Sequence, residues 1–344
     1  MKSLLVMIFL HFMTSEAWAD CFPKSRIKPR SPDGVNSCDD LPGETANCIE
    51  GKRLFFSTNL SRDKTVSCAS CHVPNLAFTD KLARPKAREQ ILWVSRTPSL
   101  IDIHKRKPPF FWNGRAKSVI SAVFWPLYHP DEIDASDEVI EKLGGSHKIA
   151  KNISSFLKTI STGLAPIDEH LAGDCQALSP PEKTGLEIFL NHCTGCHEGT
   201  EFDGKMKKIK YKNLPKEYFR MEEASYLSQS PLHNGFKQTI ELTTKVPSPR
   251  NIQIKGPPYG RFGQEPHLKG YLEYHIWQTG APAISRLDDL EIFLTRSLQS
   301  HSLVLLTKRT GSRTSKKARS TNSSSNRTSS RVLSSRFNSG SGSK

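Results

Sequence analysis

The chain has 344 residues, 36% of them hydrophobic, and a formal net charge of +15. That length allows two domains with their own cores, and the charge would suit a nucleic-acid partner if the fold carried it. It does not: residues 300–344 hold ten Lys or Arg and no acid, so +5 (15 less 10) remains over the other 299 residues, too little for a nucleic-acid footprint.

In chain order, Lys2 precedes the apolar run Leu4–Leu10, and Ala17-Trp18-Ala19 reads as an A-x-A-like cleavage site. Residues 1–19 are therefore predicted to be a signal peptide, too short for a bilayer span, so the mature protein is expected to be exported, periplasmic and without a transmembrane segment. Residues 20–47, rich in Pro, Gly, Ser and Asp, are expected to form an irregular arm. Export permits disulfides among Cys21, Cys38, Cys48 and Cys175, with one predicted to clamp segment 21–48.

A first unit, 48–172, opens with Gly51-Lys52-Arg53-Leu54-Phe55-Phe56 and leads to Cys68-Ala69-Ser70-Cys71-His72. A second, 173–299, contains Cys193-Thr194-Gly195-Cys196-His197. Each run is Cys-x-x-Cys-His, the attachment pattern of a c-type haem: two thiols on one turn form thioethers to one porphyrin, and the adjacent imidazole ligates its iron. Zinc ribbons also use Cys-x-x-Cys pairs, but about 15–20 residues apart, whereas 121 residues separate Cys71 from Cys193. Two covalent haems c follow.

Between the runs, a helix is predicted to end before Pro126, and 135–162 has helical periodicity. Ser179-Pro180-Pro181-Glu182 reads as a helix start, with Leu186, Phe189, Leu190 and Cys193 at helical spacing behind it. Lys205 to Lys216, polar and basic, is expected to loop. A last helix spans roughly 288–298. Residues 300–344 are too polar to order themselves. No internal repeat is evident beyond the duplicated haem run. The fold class is mainly α: two cytochrome c-like haem domains with long loops and a disordered C-terminal tail.

Sixth ligands decide what such haems do, since a vacancy admits peroxide and a strong ligand makes a relay. Leu268, Tyr271, Leu272, His275 and Ile276 follow i, i+3, i+4, i+7, i+8, which puts His275 on an apolar helix face as candidate ligand for the second haem. No His or Met lies between His72 and His104, so the first haem is read as open, with His104 and His129 as alternative ligands.

From Gly51 to Leu298 the ordered motifs resemble the bacterial diheme cytochrome c peroxidase family, which includes MauG: Leu-Ser-Arg-Asp (60–63), both haem runs, Arg-Thr-Pro-Ser-Leu (96–100), Phe-Trp-Asn-Gly-Arg-Ala (111–116), Ala-Pro-Ile-Asp (165–168), Pro-Arg-Asn (249–251) and Pro258-Tyr259. The resemblance implies that Trp112 lies between the haems and that Glu132 handles protons during O–O cleavage. It places an interdomain calcium on Thr97 and Pro258. The chain departs from the peroxidase pattern at Ala122, where a Gln is usual, at Asn113, at Thr97, and at Arg261-Phe262-Gly263. His275 stands where peroxidases carry Met. The implied activity is reduction of hydrogen peroxide with electrons from a small cytochrome c or another protein; the alternatives are MauG-like oxidation of a partner protein and a diheme electron carrier. Oligomeric state is left open, a homodimer included.

Overall fold

The computed structural model describes residues 27–31, 35–86, 95–211 and 240–301. The expected signal peptide, Cys21 and the tail beyond 301 lie outside the described residues. Within them the chain is helical, with one two-stranded sheet, and no described helix is long and apolar enough to cross a membrane.

Two hydrophobic cores divide the chain. In the first, α1 (Thr45–Phe56) crosses α5 (Ser146–Lys158), with α3 (Val119–Tyr128) on the other side of α5. Gly51 makes the crossing possible: a Cβ there would lie 1.8 Å from the Asn152 carbonyl oxygen. Phe55 then reaches Phe156, ring centroids 5.2 Å apart. In the second, α7 (Pro180–His192) packs on α10 (Leu287–Ile292) and the π turn after it, with the short α8 (Ile252–Lys255) and α9 (Leu268–Thr279) alongside. Ala165 and Ile167, in and beside α6 (Pro166–Leu171), pack into this second core, as does Ile27 of the arm. In the segment expected to be clamped, 21–48, a Cys38–Cys48 disulfide closes the C-terminal end.

Three expectations are corrected. Helix α3 continues through Pro126 to Tyr128. Proline in the last turn forgoes only its own N–H bond, and the following chain caps the end of the helix: the Ile133 and Ala135 N–H groups donate to the Pro126 and Leu127 carbonyls. The helical pattern of 135–162 splits into α4 (Asp137–Lys142) and α5 around Gly144 and Gly145, at φ +86° and +94°. Residues 206–211 are not loop but β1, paired antiparallel with β2 (Ile240–Lys245). Ile209 and Tyr211 alternate with lysines, a period-two signal that basic composition hid; buried Tyr211 bonds Thr244 across the pair at 3.1 Å.

The structure also reveals a repeat. Pro108-Pro109 and Pro257-Pro258 are both cis, and each is followed by a β-bridge, Phe110 with Ala116 and Tyr259 with Glu265. The Asp102 N–H donates to Ile160, and the Asn251 N–H to Leu298. The prolines, the bridged residues and the two donors are all offset by 149 positions (257 less 108), the acceptors Ile160 and Leu298 by 138. The halves meet reciprocally: the Arg96 N–H donates to the Arg261 carbonyl and the Lys245 N–H to the Trp112 carbonyl, both at 2.8 Å.

Buried ion pairs fasten this junction. Arg250 grips Asp168 bidentately at 2.9 and 2.6 Å, and Arg30 binds Asp102 and Glu201. Asp168→Asn leaves the Arg250 guanidinium buried without its counter-ion. The expected cost is about 3–5 kcal/mol, read as a lower melting midpoint at unchanged secondary structure.

Candidate functional site: two cysteine–histidine turns

The two Cys-x-x-Cys-His runs adopt the same geometry. α2 (Cys68–Cys71) ends with the His72 N–H on the Cys68 carbonyl (2.9 Å), and the His197 N–H meets the Cys193 carbonyl at 2.8 Å. Each imidazole donates through Nδ1 to a downstream carbonyl, His72 to Phe78 and His197 to Phe202, both at 3.1 Å. Both phenylalanines hold left-handed backbone, φ +54° and +52°, a costly conformation for an aromatic residue that aims the carbonyl at the ring. With Nδ1 so engaged, Nε2 points the other way as a lone-pair donor, the arrangement that orients metal-bound histidines.

The thiols fit haem attachment as well. Cys68, Cys71, Cys193 and Cys196 are free, while Cys38, Cys48 and Cys175 are disulfide-bonded. Burial pushes the Cys68 and Cys193 thiols up to about 12 and Cys71 to about 11, so they sit as neutral groups in apolar walls. Against Cys68, Cys71 and His72 lies a cavity of about 980 Å³, at the upper end of cofactor pockets.

At the second run, the His197 and His275 rings face each other with centroids 6.4 Å apart and planes at 63°. Two metal–nitrogen bonds of about 2 Å each, plus the half-widths of two imidazoles, fill that gap. Burial first, and the His197 ring second, hold His275 down to about 4, so it is neutral, the ligating form, at pH 7. Tyr271, one turn earlier on α9, stacks on His275 at 5.5 Å and 25°. Its i−4 spacing from His275 was the signal in the sequence for this contact.

Other predicted residues gather on the first cavity. Glu132, Trp112, Ala122, His129 and Arg261 all line it, whereas His104 lies outside its lining. Glu132 follows α3 on a turn closed by its own N–H on the His129 carbonyl at 3.0 Å. The His129 Nδ1 accepts the Asp131 N–H at 3.2 Å. The Trp112 indole N–H donates to the Arg96 carbonyl (2.8 Å), and with the Lys245 bond to its own carbonyl this pins Trp112 at the junction of the halves.

At Thr97, expected with Pro258 to hold calcium, the polar groups have protein partners. The Thr97 carbonyl accepts the Thr79 hydroxyl and its own hydroxyl donates to Asp80, each at 2.8 Å. The Lys81 ammonium lies 3.0 Å from where a Cβ on Gly256 would be, two residues before Pro258. Among the described residues no group of three His, Cys, Asp or Glu is placed to hold a metal ion.

Comparison with known proteins agrees with this geometry. Residues 48–155 match the family described as di-haem cytochrome c peroxidase. The chain is 28% identical over 286 residues to the methylamine utilization protein MauG of Methylorubrum extorquens, covering 76% of this chain and 78% of that one. It is 26% identical over 297 residues to the cytochrome c peroxidase Ccp of Escherichia coli, covering 80% and 62%. The fold resembles a crystal structure of a MauG-like protein associated with microbial copper homeostasis, with TM-score 0.58, 19% identity and 82% of this chain covered. Taken with the paired Cys-x-x-Cys-His turns and their imidazoles, these likenesses make the chain similar to the di-haem cytochrome c peroxidases and to MauG, the family match itself falling on the first half.

Proposed function

We propose that this chain is a periplasmic diheme oxidoreductase that reduces hydrogen peroxide in the first cavity, using electrons that enter through the second haem site from a cytochrome c or another protein. The observation that carries the reading is the asymmetry between the sites. An imidazole, His275, faces His197, whereas the cavity beside His72 is large and lined by a carboxylate, Glu132.

When bound, the haems supply redox-active iron. Cys68, Cys71 and His72 would hold one; Cys193, Cys196, His197 and His275 would hold the other. Peroxide takes up two electrons and two protons to give two waters, and O–O cleavage needs a proton moved from one oxygen to the other. Glu132 accepts and returns that proton. Trp112, fixed by bonds to Arg96 and Lys245, bridges the two halves on the path between the sites.

A second reading, peroxide-driven oxidation of a partner protein, is favoured by His275 itself. An imidazole in place of a thioether lowers a haem's potential, which suits storing an oxidising equivalent.

Electron paramagnetic resonance of the ferric protein tests the proposal. One high-spin and one low-spin signal in equal amounts are expected, together with peroxide consumption by the protein supplied with reduced cytochrome c or another donor. Low-spin signals alone would instead assign His129 as sixth ligand of the first haem and make the chain a plain electron carrier.

A further inference from the structure

The repeat matches two cations that the proposed chemistry leaves unused. Arg106 donates to the carbonyls of Ser99 (3.2 Å) and Ile101, and Lys255 to those of Ser248 (3.3 Å) and Arg250 (2.6 Å). Both cations, and both pairs of carbonyls, are related by the same offset of 149 that relates the cis prolines. The fold therefore builds the same cradle twice, each time holding a positive charge on neutral oxygens.

No carboxylate among the described residues pairs with either cation. Asp102 and Glu201, the acids whose field reaches both, are bound by Arg30. Asp203 is bound by Lys245 at 3.3 Å. Burial lowers the basicity of both groups, and the Arg106 charge pushes Lys255 down further. Two half-buried cations within each other's field, hydrogen-bonded only to neutral oxygens, are a place where an arriving anion is favoured.

Position says which anion. Arg106 lines the cavity that contains Cys68, Cys71 and His72. Each repeat begins at a proline whose backbone meets an imidazole, Pro98 with His72 and Pro247 with His197. Eight residues on, each repeat presents its cation. Arg106 thus belongs with the first haem run and Lys255 with the second. The anionic groups that haem brings into a protein are its two propionate carboxylates. We propose that Arg106 receives a propionate of the first haem and Lys255 a propionate of the second, as matched anchors in the two halves. The assignment rests on the diheme reading above.

The test uses the isolated full-length holoprotein, with two thioether-linked haems first verified by the pyridine haemochrome. Arg106→Gln is expected to lower the midpoint potential of the first haem alone, and Lys255→Gln that of the second alone, because a cation at the haem edge favours the reduced state. The propionate bending band in the resonance Raman spectrum should move with each. Arg106→Lys keeps the charge and the fold but replaces a planar fork with a point donor; it should hold the potential and still shift the band. Potentials and bands unchanged in these variants, with both haems present, overturn the anchors. Should the Gln variants fail to fold, an unchanged band in Arg106→Lys overturns the proposal by itself. A chain isolated without thioether haem would overturn the diheme reading beneath it as well.

Discussion

Glu132→Gln is expected to slow peroxide turnover by about 10²–10⁴-fold, the range a positioned acid–base group contributes, while leaving both haems attached and the ferric spectrum unchanged. The substitution preserves the volume of the side chain and its place on the turn after α3, where its N–H closes onto the His129 carbonyl at 3.0 Å. What it removes is the capacity to take a proton from one peroxide oxygen and give it to the other. Peroxide should still enter, because the cavity wall of Ala122, Trp125 and Ile133 is untouched. The loss should therefore fall on kcat with little change in KM, and the limb of the pH–rate profile set by this carboxylate should vanish. Turnover within a few-fold of the parent would move the proton to another lining group, with His129, three positions earlier on the same turn, next in line. The departure at Ala122 sharpens the experiment: where peroxidases carry a glutamine, this chain has a methyl group, so Glu132 has one polar neighbour fewer to compensate for its removal.

Much of this site was legible in the sequence because covalent and helical spacing are local. Cys-x-x-Cys-His fixes its own turn, and the i, i+3, i+4 pattern around His275 placed it on the face of α9 that meets His197. The capping box at Ser179 and Glu182 likewise marked the start of α7. What escaped was non-local. The strand 206–211 exists because a partner 29 to 39 residues away (Tyr211 with Ile240, Met206 with Lys245) pairs with it, and its alternation was masked by lysines. The repeat escaped for a related reason: few identities beyond Pro-Pro survive between 98–116 and 247–265, and the chemistry shared by Arg106 and Lys255 is positive charge rather than residue type. Backbone geometry kept what side chains had lost.

His275→Ala should convert the second haem from low-spin to high-spin while leaving it bound through Cys193, Cys196 and His197. Ring centroids 6.4 Å apart leave room for one metal between His197 and His275, and Tyr271, stacked on His275, holds the imidazole on that line. Losing that ligand should slow electron delivery from a donor protein by about 10–100-fold, the scale of defects when a metal site loses its orienting groups. Stability against pH reports on the same side chain. An unfolded histidine titrates near 6.5, whereas burial holds His275 to about 4. Between those values the unfolded chain binds the proton and the folded chain does not, so His275 makes stability fall as pH drops from about 6.5 to about 4. Melting midpoints should decline across that window in the wild type, and the His275→Ala variant should lack this part of the slope. His275→Met separates ligation from packing: it should restore a low-spin haem at higher potential, and donors able to reduce only that higher-potential site would then show the imidazole itself to be what tunes electron entry.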